Sequence, residues 1–67
     1  MNDLEKRFTH HPPKDGQLEK YGDIRAKAWE LAILLEDYCP HSREYSLALT
    51  KLEESVMWAN AAIARNE

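Results

Sequence analysis

A single proline-centred break, Cys39-Pro40-His41-Ser42, separates two long stretches of helical periodicity and leaves the chain few folds to choose from. Before it, Tyr21, Ile24, Ala28, Leu31, Leu35 and Tyr38 recur in steps of three and four; after it, Tyr45, Leu49, Leu52, Val56, Ala59 and Ile63 do the same. Such heptad spacing keeps one face of a helix turned toward a partner helix. Pro40 cannot continue the first helix, and Ser42 is a good N-cap for the second. The pattern predicts helices over 17–38 and 43–65, and a connection this short packs them antiparallel. The expected fold is all-α: a two-helix hairpin in one domain over 1–67.

Ahead of the hairpin, residues 1–16 show little periodicity. Pro12 and Pro13 force an extended path and exclude helix at His11. Asp15-Gly16 reads as a turn and a start signal. Arg7 to Gly16 is expected to form an ordered arm against the helices, with the first few residues frayed. Gly22 weakens the first helix by ~1 kcal/mol relative to alanine and offers room for a close approach.

Size then demands a partner. A chain of 67 residues buries only about 60% of the surface it exposes when unfolded. Small proteins close that deficit with disulfides, a metal or further subunits. Cys39 is the sole cysteine, so an intramolecular disulfide is excluded. Trp29, Ile33, Leu47, Met57 and Trp58 lie off the two seams, more apolar surface than one hairpin can cover. A homo-oligomer whose outward stripes meet is the expectation.

Several function classes drop out. MNDLEKRF has no apolar core of a signal peptide, and no uncharged stretch approaches the ~20 residues that span a bilayer, so a soluble, cytoplasmic protein with no membrane partner is expected. A net charge of −3 at pH 7 argues against DNA binding. His10, His11, Cys39 and His41 lack the spacing of a metal site, and no metal or cofactor is expected. Glu36-Asp37 and Glu53-Glu54 are sequence neighbours that fan over different helix faces, and Gly16 and Gly22 make no phosphate loop. No catalytic residue is assigned, and the chain reads as a non-enzyme.

Binding chemistry is better represented. Arg7-Phe8-Thr9-His10-His11-Pro12-Pro13 joins a cation, a ring, hydroxyl and imidazole groups and a stiff backbone. That set suits stacking on a purine and bonding its edge or phosphate; equally, Phe8 can staple the arm to the hairpin. Arg25 and Lys27 flank the first seam and either meet an anion or pair with acids such as Asp23. Asn60 either locks helix register or reads a ligand. Arg65 complements a helix C-terminus or joins a site. These residues alone leave two classes open, a ligand binder and a helical protein-interaction adaptor docking through Trp29 and Ile33.

The strings RFTHHPPKDGQ, YGDIRAKAWELAILLED, CPHSREYSLALTKLEE and VMWANAAIARNE together resemble one family. It is the helical-hairpin domain shared by phage anti-CBASS and anti-Thoeris nucleotide sponges, and the resemblance runs from Arg7 to the chain end. It implies a non-catalytic homohexamer that sequesters cyclic signalling nucleotides in the host bacterial cytoplasm. Cyclic dinucleotides such as cyclic GMP-AMP come first, then cyclic trinucleotides. His10 stands where many relatives carry tyrosine, and the extra N-terminal domain of anti-Thoeris members is absent, which disfavours glycocyclic ADP-ribose. Carried onto this chain, the implied ligand contacts are Phe8 for stacking, with Thr9, His10 and Pro12 beside it. Arg25 or Lys27 of a neighbouring copy would meet phosphate, and Asn60 and Arg65 would serve a second site on the oligomer axis.

Overall fold

The structure, a computed structural model, describes residues 3–67. It holds three helices and, among the described residues, no strand: α1 (Asp3–Phe8), α2 (Gln17–Tyr38) and α3 (Arg43–Asn66). The short α1 falls where frayed chain and the start of an arm were expected; Met1 and Asn2 lie outside the described residues. Its charges suit a helix, with Asp3 and Glu5 in the first turn and Lys6 and Arg7 in the last. Arg7 Nε meets Asp3 Oδ2 at 3.2 Å, one turn away. Beyond it, the Thr9 N–H donates to Glu5 O at 3.0 Å and His11 Nε2–H to Lys6 O at 2.8 Å. The arm proper is thus Thr9 to Gly16.

Gly16 sets the angle at which α2 leaves the arm. Its φ is +84°, a left-handed conformation that glycine adopts without penalty. The Gln17 N–H closes the turn on Lys14 O at 3.0 Å. At the other end the Cys39 N–H donates to Leu35 O at 2.9 Å, and Pro40 stops the helix. Ser42 then caps α3: its Oγ accepts the Tyr45 N–H at 3.2 Å and donates its own proton to Pro40 O at 3.0 Å. The His41 ring stacks on Tyr45 with centroids 4.6 Å apart. α3 runs to Asn66, one residue beyond the expected end.

The two long helices pack along their length, and Gln17 at the start of α2 reaches Ile63 near the end of α3, so the pair is antiparallel. All six expected positions of the α3 seam are half-buried. The α2 seam needs correcting at two. Leu31 and Tyr38 are exposed, Tyr38 to 79%, and Ala32 and Cys39 are half-buried in their place. The cause is geometric: a heptad repeat drifts ~20° per seven residues on a straight helix of 3.6 residues per turn. Late positions therefore surrender the face to their next neighbour. Gly22 serves no close approach within the chain, since nothing lies within 4 Å of where its Cβ would stand.

Two helices give one layer and no interior. The molecule measures 45 × 24 × 12 Å, with a radius of gyration of 14.8 Å, against about 11 Å for a compact chain of this length. Its accessible surface is 5518 Å², roughly 1,100 Å² above the ~4,400 Å² of a compact monomer of this mass. No apolar residue among those described is fully buried. Trp29, Ile33, Leu47, Met57 and Trp58 are all exposed.

Candidate functional site

Where the arm crosses the end of the hairpin, it walls off a hollow of about 390 Å³. Thr9, His10 and His11 of the arm form one side and Tyr21 of α2 contributes a ring. Asn60, Ala61, Ala64 and Arg65 of α3 form the other side. Those four share a helix face by their spacing, and the two alanines keep the floor low. No carboxylate lines this hollow, although the chain as a whole is acidic. The Asn60 Oδ1 is buried without a hydrogen-bond partner, a state that costs ~1–3 kcal/mol until a donor arrives. His11 gives its Nε2–H to Lys6 O, which leaves Nδ1 as the acceptor of the neutral ring.

Polar contacts secure the arm. Gln17, only 2% exposed, is the one buried residue described. Its Oε1 accepts the Lys14 N–H at 3.0 Å, and its Nε2 donates to Ile63 O and Glu67 Oε1, each at 3.4 Å. Every polar group of that side chain is thereby matched. Lys6 Nζ donates to Asn66 Oδ1 at 3.0 Å, Lys20 Nζ to Glu67 Oε2 at 2.6 Å, and Lys14 Nζ to the Glu67 carbonyl. The Lys20 hydrogen bond holds the Glu67 carboxyl below its usual range. Partial desolvation opposes this, and Gln17 and the charges of Lys20 and Lys14 add to it.

Four of the eight expected binding residues, Thr9, His10, Asn60 and Arg65, converge on this one hollow. Phe8 does not line it: its ring is 81% exposed at the end of α1. Pro12 is exposed on the arm. Arg25 belongs to a different groove of about 510 Å³ between α2 and α3, with Ala28, Trp29, Leu52, Glu53 and Met57 among its lining. Lys27 pairs with Glu30 at 3.4 Å rather than with Asp23. Within one copy, then, Phe8, Arg25 and Lys27 stand apart from the hollow.

Sequence reasoning overlooked Gln17, Tyr21, Ala61 and Ala64 as parts of this region, and His11, named within the arm's binding set, was not carried to the expected contacts. Ala61 and Ala64 were recoverable from helical spacing around Asn60 and Arg65. Gln17 was not, because its partners lie at Ile63 and Glu67, far along the chain. Among the described residues no three histidine, cysteine or acidic side chains gather to hold a metal ion. No helix described is long and apolar enough to cross a membrane.

A family model described as Acb2/Tad1, hairpin domain, matches residues 1–64. The chain belongs to that family, the anti-CBASS and anti-Thoeris sponges, whose members are non-catalytic phage anti-defence proteins that take up cyclic nucleotides. No curated protein and no solved structure matches the chain.

Proposed function

From membership of the Acb2/Tad1 hairpin family, we propose that this protein binds cyclic oligonucleotide messengers of bacterial antiphage signalling and holds them chemically intact. Cyclic dinucleotides such as cyclic GMP-AMP are the first ligand class, cyclic trinucleotides the second, and the working form is a homohexamer in the host cytoplasm. The observation that carries the reading is the acid-free hollow closed by the arm. Its volume falls within the ~300–1,000 Å³ of small-molecule sites. Arg65 supplies a permanent cation with the planar fork that matches phosphate. The unpaired Asn60 carbonyl suits a donor such as an exocyclic base amine. His10 and Tyr21 offer ring faces, and the free Phe8 ring adds a stacking surface worth ~1–3 kcal/mol per base. Thr9 lines the same edge, Pro12 stiffens the arm that carries it, and Arg25 and Lys27 meet phosphate from a neighbouring copy.

Net charge does not oppose this. Repulsion from a chain of −3 is screened beyond about 8 Å at physiological salt, so the local cations dominate at contact. Calorimetric titration with cyclic GMP-AMP and cyclic tri-adenylate tests the reading. Saturable binding is expected, with unmodified ligand recovered after denaturation. Arg65→Ala should weaken it by roughly 10- to 100-fold, the worth of a hydrogen bond to a charged group. Phe8→Ala should weaken dinucleotide binding while assembly persists; loss of assembly would make Phe8 a staple. Failure of both nucleotides and of glycocyclic ADP-ribose to bind would end the proposal.

A further inference from the structure

We infer that Asn66 and Glu67 are positioning residues: they fasten the arm that forms one wall of the hollow, and so fix the hollow's shape. The consequence for affinity rests on the binding role proposed above; the fastening itself does not.

Among the described residues the arm is held chiefly by polar contacts to the end of α3, with Gln17 joining it to Ile63 as well. Leu4, Phe8, Pro12 and Pro13 are exposed, so no apolar anchor pins the segment that carries Thr9, His10 and His11. What remains is polar and gathers on the last turn of α3. Asn66 takes Lys6 from α1; Glu67 takes Lys14 from the turn, with Lys20 and Gln17 from α2. Three separate segments thus end on two adjacent residues. Both stand outside the matched span 1–64, so the fastening is read from this chain's own contacts.

Freeing the arm weakens uptake through population. If only a fraction of molecules holds the wall in place, apparent affinity falls by that fraction. One effect opposes it, because removing Glu67's side-chain charge leaves Lys20 without its anion and makes the region more positive, while Lys14 keeps its bond to the main-chain oxygen of Glu67. That gain is long-range and fades with salt, whereas the loss of wall order does not. At about 0.3 M salt the Debye length falls to roughly 5–6 Å, which damps the long-range gain and leaves the positioning effect.

The test uses the full chain carrying Asn66→Ala and Glu67→Ala together, which removes the side-chain acceptors of Lys6, Gln17 and Lys20 and leaves, of these contacts, only the main-chain bond of Lys14. In the ligand-free protein, hydrogen exchange should quicken about ten-fold at the Lys14 amide, which bonds Gln17, as ordered arm conformers become the minority. Helical circular dichroism and assembly should not change. Cyclic GMP-AMP should bind about ten-fold more weakly, and Asn66→Asp, which keeps an acceptor for Lys6, should behave as wild type. Unchanged exchange overturns the inference, and so does faster exchange with unaltered affinity. Should the wild type take up no cyclic nucleotide, the binding proposal falls, while faster exchange in the double variant would still support the fastening.

Discussion

Truncating Trp29 to alanine removes the largest side chain of the apolar groove between α2 and α3. The ring is 68% exposed in a single copy. A tryptophan buries at most ~250 Å², so on the order of 150 Å² is left for a partner to cover. At ~25 cal/mol per Å² that area is worth about 4 kcal/mol. Extended-chain bookkeeping overstates burial, which leaves ~2–3 kcal/mol per ring, or roughly a 30- to 150-fold change in association. In a two-fold contact each copy loses one ring and the effects compound. Sedimentation velocity over a dilution series measures this directly, with Trp58 emission as a second reporter. The wild type should stay assembled at concentrations where Trp29→Ala has come apart. Identical dissociation curves would show that the groove faces solvent in the assembly, as a helical adaptor requires. A wild type that sediments as a folded single copy at micromolar concentration would refute the reasoning from exposed surface altogether.

Ser42→Ala removes the cap that accepts the Tyr45 N–H and should cost ~1 kcal/mol, read as a fall of about 4–8 °C in melting temperature. Glu67 gives a pH signature: its folded carboxyl titrates below its ordinary value of 4.5, so its contribution is present above that value and lost as pH falls through the lowered one. Lys14 amide protection, corrected for intrinsic exchange, should therefore drop below about pH 4.5 in the wild type and stay flat in Glu67→Gln; a flat wild-type profile would remove Glu67 from the fastening. Cyclic GMP-AMP at a hundred times its dissociation constant should add ~2.7 kcal/mol per site to stability, and an unmoved thermal transition would argue against binding to the folded state.

The hairpin was readable because its signals are local. Proline at 40, a hydroxyl cap at 42 and two apolar stripes act within a few residues of where they stand, and the structure places α2 and α3 accordingly. The stripes misled only where a fixed repeat outran the true helical period, at Leu31 and Tyr38. The site was half readable for the opposite reason. Asn60 and Arg65 announced themselves as polar interruptions on an apolar helix, and Thr9 and His10 sat in an obvious polar arm. That they share one hollow depends on contacts spanning most of the chain, from Lys6 to Asn66 and from Lys14 to Glu67. No local pattern encodes those pairings. A short α1 was equally hidden, since six residues carry almost no periodic signal.

The two hollows divide the needs of a small chain between them. The larger is apolar, with Arg25 and Glu53 as its charged groups; its apolar floor favours a protein face, which leaves Arg25 at the rim to reach a phosphate held at a junction between copies. The smaller carries Arg65, imidazoles and an unpaired amide with no acid in its lining, and a second apolar helix laid there would bury those groups unmatched. The two hollows follow one another along the hairpin, Tyr21 standing one turn from Arg25 and Ala61 one turn from Met57, so the association and uptake proposed above would draw on different stretches of it. A chain with no buried apolar residue among those described has no stability to spare for a strained pocket. Polar groups held open at the arm are affordable only if the neighbouring groove is covered by further copies. On that reasoning the deficit of the isolated fold and the capacity for a ligand are two consequences of one arrangement, a single layer of helices with its surface still to be covered.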